Sequence, residues 1–221
     1  GNTSGTGTLG YTYDNTSAAP TATLTTDTGS SSTDNITRDA SLSLAGTESG
    51  ALVQYSSNGS SWGSSYTPVL GANTVYVRQI DVAGNTSGFS TLGYTYDTSA
   101  AAPTVTLTTD TGSSSTDKIT SDASLSIAGT EGGALVQYSS NGASWGSSYT
   151  PVIGDNTVYV RQIDIAGNTS SASSLGYLLD TTALAPVLSL TTDTGSSSTD
   201  HITSNGSLTT SGTETGALVQ Y

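Results

Sequence analysis

Apolar and polar side chains alternate along this chain, and no apolar set recurs at helical spacing. Stretches such as TATLTT, SLSLA and TVYVRQI repeat with a period of two. That period sends one set of side chains to a buried face and the other to water. Clusters of Gly, Asn, Asp and Ser separate these stretches and mark turns. Over residues 19–101 the pattern predicts seven strands. Strand A is 21–26, B is 41–45 and C is 51–56. Two short strands follow around 62–66 and 68–70, then F at 74–80 and G at 91–96. Asn58-Gly59 is a tight-turn signal after strand C. The expected core is Leu24, Leu42, Leu44, Leu52, Val53, Val75, Val77, Leu92 and Tyr94. Many short strands with regular turns predict an all-β fold of antiparallel immunoglobulin-like β-sandwich modules, about seven strands each.

The pattern is written more than once. Residues 19–101 and 102–184 agree at 67 of 83 positions. A third copy occupies 185–221, and residues 1–18 match 84–101. The expected organisation is the strand G end of one repeat at 1–18, full modules at 19–101 and 102–184, and strands A to C of another at 185–221. Near-identical copies argue for an array of equivalent modules rather than a single active site. On this reading the chain is expected to be a window of a longer fibre. Neighbouring repeats are then the first partners, with lateral self-association a further one.

Charge narrows the partners. There are 17 acids against four bases and one His, a net charge of −13. Nucleic acid and anionic membranes are unsuitable partners for such a surface, and cations are natural ones. No Cys is present, so disulfides and thiolate metal sites are excluded. No apolar run approaches the ~20 residues of a membrane-spanning helix, so no membrane insertion is expected.

Sixteen of the 17 acids fall at repeat-equivalent positions, nearly all in predicted loops or strand ends. In an immunoglobulin-like module the BC and FG loops lie at the pole where the chain enters. The AB loop and the end of strand G lie where it leaves. Asp97 ends strand G of one module. Glu131 lies in the BC loop of the next, and Asp164 opens its FG loop. These three carboxylates are expected to converge, as are Asp14, Glu48 and Asp81 one repeat earlier. Asp180 and Glu214 begin the same set again. Oxygen ligands without Cys or His suit Ca²⁺. A second candidate is the AB loop DTGSSSTD, flanked by Asp27 and Asp34, Asp110 and Asp117, and Asp193 and Asp200. The alternative at every one of these positions is an Asp-capped turn without metal.

These residues carry a resemblance. The DTG…TDxIT run, the SLxLAGTE-like strand B, the D-x-A-G-N loop and the D-[T/N]-x-x-A-P-like linker before Pro103 and Pro186 span the whole chain. Together they resemble the bacterial immunoglobulin-like repeats of giant adhesins and biofilm-associated proteins secreted by type I (RTX-type) systems. The resemblance implies extracellular stalks at the bacterial cell surface, stiffened by Ca²⁺ at module junctions.

No enzyme constellation is found. His201 has Asn35 and Lys118 at its equivalents and reads as a solvated loop residue. The abundant Ser and Thr have no recurring base to activate them. Trp62 and Trp145 read as side chains packed over the core edge, or with Tyr66 and Tyr149 as sugar-stacking platforms. The expected function is therefore a structural stalk. The alternative is an array that binds carbohydrate or its own kind directly.

Overall fold

Strands form where the alternation is clearest. The computed structural model describes residues 1–220; Tyr221, the last residue of the expected third strand C, lies outside the described residues. The fold is all-β, and no helix among the described residues is long and apolar enough to cross a membrane. The first copy holds β1 (Thr21–Leu24), β2 (Ile36–Thr37), β3 (Leu42–Ala45), β4 (Leu52–Ser56), β5 (Gly71–Ile80) and β6 (Ser90–Tyr96). Two sheets result, one of β1-β3 and one in the order β2-β6-β5-β4. All pairings are antiparallel except β2, which runs parallel to the end of β6. First and second long strands in one sheet, with the third and the last two in the other, is an immunoglobulin-like arrangement.

The core sits between the sheets. Val75 and Val77 of β5 are fully buried, with Tyr94 of β6 beside them. Leu24, Leu42 and Leu44 of the β1-β3 sheet pack against them, with Val53 and Leu92. Each buried Val is worth about 2 kcal/mol of transfer free energy. Along β5 the alternate residues Tyr76, Arg78 and Ile80 are less buried, as the period of two requires.

The second copy repeats the plan with β7 (Thr104–Leu107), β8 (Ile119–Thr120), β9 (Leu125–Ala128), β10 (Leu135–Ser139), β11 (Gly154–Ile163) and β12 (Ser173–Leu179). Its sheets are β7-β9 and β10-β11-β12-β8, with Val158 and Val160 fully buried. In the third copy β13 (Val187–Leu190) pairs with β14 (Leu208–Ser211) alone. Contacts group the chain into two compact units. One comprises 1–106, 127–149 and 157–175; the other comprises 107–126, 150–156 and 176–221.

Several expectations are corrected. Each full copy has six strands rather than seven. The two short strands expected around 62–66 and 68–70 do not form; only a bridge joins Tyr55 to Gly63. Side chains hold this stretch instead. The Asn58 carboxamide oxygen accepts from the Ser60 and Ser61 amides, both at 2.9 Å. Asn73 accepts from the Tyr66 hydroxyl at 2.9 Å and the Val69 amide at 3.0 Å. Asn and Ser satisfy backbone groups locally and so compete with a strand ladder. The two-residue β2 is too short for any periodic signal. Leu52, expected in the core, is 53% exposed. Trp62 sits with the outward Arg78, whose guanidinium carbon lies 4.1 Å from the ring centroid, rather than over the core edge.

Residues 8–13 read TLGYTY, the same as 91–96 in β6. At 8–13 they form no strand, and Leu9, Tyr11 and Tyr13 are 85%, 81% and 77% exposed. In β6 the same six residues lie beside β5, from Tyr96↔Gly71 to Thr91↔Tyr76. Strand propensity expresses packing against neighbours, and the first stretch has no such neighbour. The expected strand C of the third copy is likewise not formed among the described residues.

Candidate metal centres at the loop junctions

Three short elements meet at each centre: the segment after a TLGY stretch (8–11 in the first, within β6 in the second), the turn before β4 or β10 and the loop after β5 or β11. In the first, Asp14, Glu48 and Asp81 each place a carboxylate oxygen within 4.8 Å of the others. In the second, Asp97, Glu131 and Asp164 do the same. Two oxygens held about 2.4 Å from one calcium ion can be at most about 4.8 Å apart, so each spacing admits a shared cation. Without one, three like charges converge at each place.

The supports are the same in both copies. Asp81 accepts from the Asn85 amide and side-chain NH₂, both at 2.7 Å. The same NH₂ group reaches the Asp14 carbonyl at 3.1 Å. Asn168 binds Asp164 at 2.7 and 2.8 Å and the Asp97 carbonyl at 2.9 Å. Gln79, fully buried, accepts from the Glu48 amide at 2.9 Å and donates to the Ala18 carbonyl at 2.7 Å. Gln162 accepts from Glu131 at 2.8 Å and donates to Ala101 at 2.6 Å. Glu48 accepts from the Ala18 amide at 3.1 Å, and Glu131 from Ala101 at 2.8 Å. Each Gln and Glu thus ties the linker to the turn, while each Asn ties the linker to the loop. Sequence reasoning singled out none of the Gln and Asn residues for this role. Their signal was a polar residue at the inward phase of strand F and the fixed Asn of D-x-A-G-N.

At the third junction Leu184 donates to Glu214 at 2.8 Å, and Asp180 accepts from Thr182 at 3.0 Å. No third carboxylate joins Asp180 and Glu214 among the described residues. The AB-loop acids do not cluster either. Asp27, Asp110 and Asp193 each accept at 2.9 Å, from the amides of Asn35, Lys118 and His201. These three residues have φ of 58°, 61° and 60°. Asp34, Asp117 and Asp200 each cap the amide two residues on at 3.0 Å. One buried oxygen of each of Asp27, Asp110 and Asp193 has no partner among the described residues. The position of His201 is thus set by its backbone, which explains why Asn, Lys and His interchange there.

Hydrogen bonding lowers three acids. The Asn85 side chain holds the Asp81 carboxyl below the usual range, with burial opposing. Ser41 and Ser124, through side chain and then backbone, do the same for Asp39 and Asp122. A folded-state pKa below the unfolded value gives stability that is complete above about pH 4 to 5 and is lost as pH falls through the folded value. The loss of urea midpoint caused by Asp122→Asn should therefore be larger at pH 7 than at pH 3. An equal loss at both pH values would contradict the assignment.

Trp62 borders an open groove of about 360 Å³ with Tyr55, Tyr66 and several serines. Arg78 covers its ring, and Phe89 lies 6.1 Å away. Arg161 covers Trp145 in the same way at 4.1 Å.

No known protein family matches this sequence. No curated protein matches it. Among solved structures, the chain is similar to fibronectin(III)-like modules of Clostridium thermocellum CbhA, at 13% identity and a TM-score of 0.38. That match covers 72% of this chain and 94% of the other.

Proposed function

We propose that this chain is part of an extracellular stalk of a bacterial surface adhesin, built from immunoglobulin-like repeats and rigidified by Ca²⁺. The full modules are 19–101 and 102–184, with partial copies at 1–18 and 185–221. Asp14, Glu48 and Asp81 hold one ion, and Asp97, Glu131 and Asp164 another. The observation that supports this is the meeting of a linker carboxylate with two loop carboxylates in each of two copies. Burial of the third member, with Asp81 and Asp164 only 8% and 5% exposed, favours a ligand over a solvated acid. A cation there converts mutual repulsion into a bond between linker and module. The alternative, direct carbohydrate binding, has less support, because an arginine occupies the ring face that a sugar would need.

Calorimetric titration of the chelator-stripped chain with Ca²⁺ tests the proposal. Two tight sites are expected, and Asp164→Ala should leave one. No saturable heat in the unaltered chain would refute it.

A further inference from the structure

The turn Thr28–Ser30 of the first copy is seated on the loop 164–168 of the second. Three donors meet three consecutive carbonyls. The Ser30 amide donates to Ile165 at 3.1 Å. The Thr28 hydroxyl donates to Ala166 at 2.6 Å, and the Arg38 guanidinium to Gly167 at 2.9 Å. The Arg38 amide donates in turn to the Thr28 hydroxyl oxygen at 2.8 Å, which aims the hydroxyl proton at Ala166. Gly29 lies between the donors, where a Cβ would collide with the Ile165 carbonyl oxygen. A Cβ on Gly167 would come within 3.0 Å of the Gly29 Cα. No carboxylate takes part.

The second copy shows the same turn without a partner, since residues 185–221 hold no D-x-A-G-N loop for it to meet. Gly112 has φ of 102°, against 100° for Gly29, so the turn is built alike. Yet a Cβ on Gly112 would meet nothing nearer than 4.0 Å. Thr111 has its hydroxyl 3.1 Å from that of Ser121, which stands where the first copy has Arg38. The loop of the first copy is open too: a Cβ on Gly84 would meet nothing within 4 Å. The turn therefore keeps its shape with or without a partner, and the contact is an addition to it.

We infer that the Thr28–Ser30 turn, with Arg38, is an interaction surface for the D-x-A-G-N loop of the next copy of the repeat, and that this clasp holds without a cation. It does not rest on the calcium reading. Its acceptors are backbone carbonyls, which any copy of that loop presents, and its specificity comes from the absence of a side chain at Gly29.

Amide hydrogen exchange on the full chain in EGTA tests the clasp. Ser30 and Ser113 have the same immediate neighbours, and are told apart through Asn35 and Lys118. Ser30 should exchange at least about tenfold more slowly than Ser113, the effect of roughly 1.4 kcal/mol. Gly29→Ala should bring Ser30 to the Ser113 rate, while Gly112→Ala, with the same backbone strain, should leave Ser30 protected. Arg38→Ser, the second copy's own residue, should weaken the protection without risk to the fold. Equal rates for Ser30 and Ser113 in EGTA and in Ca²⁺ would overturn the clasp. Protection only in Ca²⁺ would overturn its independence of metal while leaving the calcium reading intact. Protection unmoved by both Gly29→Ala and Arg38→Ser would also overturn it.

Discussion

Asp97→Asn should stabilise the chain in EGTA and destabilise it in Ca²⁺. Asparagine keeps the oxygen that accepts the Ser99 amide at 3.1 Å, so the turn cap survives. What changes is charge. Without a cation, the substitution removes one of three like charges packed within 4.8 Å. With Ca²⁺ it would remove a ligand of the proposed site. A ligand that binds only the folded state adds about 2.7 kcal/mol at a hundredfold excess over Kd. For a cooperative unit of this size that is about 10 °C in Tm. The unaltered chain should gain this on addition of Ca²⁺, and Asp97→Asn should lose most of the share due to the second centre. A plain capping role predicts the same sign in both buffers. Thermal melts of both proteins in EGTA and in Ca²⁺ decide between them, and identical melts of the unaltered chain would refute a calcium site.

Gln79→Met should cost about 3 kcal/mol, a large effect for a side chain outside the hydrophobic cluster. The side chain is fully buried and of similar size to Met, so packing is nearly kept. Its partners are not. The part-buried hydrogen bonds to the Glu48 amide and the Ala18 carbonyl would be lost, and each group left without its partner costs roughly 1–3 kcal/mol where water does not reach it. Gln162→Met should cost a similar amount, because Glu131 and Ala101 depend on it in the same way. Chemical denaturation of each variant checks this. A loss under about 0.5 kcal/mol would show that water replaces the amide.

The five long strands of each full copy were legible because their periodicity is local information. So was the meeting of Asp97, Glu131 and Asp164, since loop order alone sends them to one place. Other features were not legible, for distinct reasons. The stretch between β4 and β5 has a strand-like composition at Val69 and Leu70, but Asn58 and Asn73 satisfy its backbone first. TLGYTY is a strand at 91–96 and not at 8–13, so its state belongs to β5 as much as to itself. Gln79 was ambiguous because β-periodicity marks a face without saying that a polar residue on it is a tie. The contact at Gly29 was invisible, because DTGS reads as a turn in every copy and a turn signal does not say what docks on it.

The turn at residues 28–30 and the loop at 81–85 of one copy lie at opposite ends of its β5. The turn lies near Gly71, which pairs with Tyr96; β2 follows the turn and joins that same end of β6. The loop follows Ile80 at the far end. A surface that fits not itself but the other end of a like unit never closes on a pair. Adding or deleting one 83-residue copy leaves the backbone turn of one copy and the D-x-A-G-N loop of the next in place, but Arg38 travels with its own copy, since Ser121 stands there in the second. Recombination between near-identical copies can therefore change the number of units in steps of one, and with it the number of arginine-bearing turns.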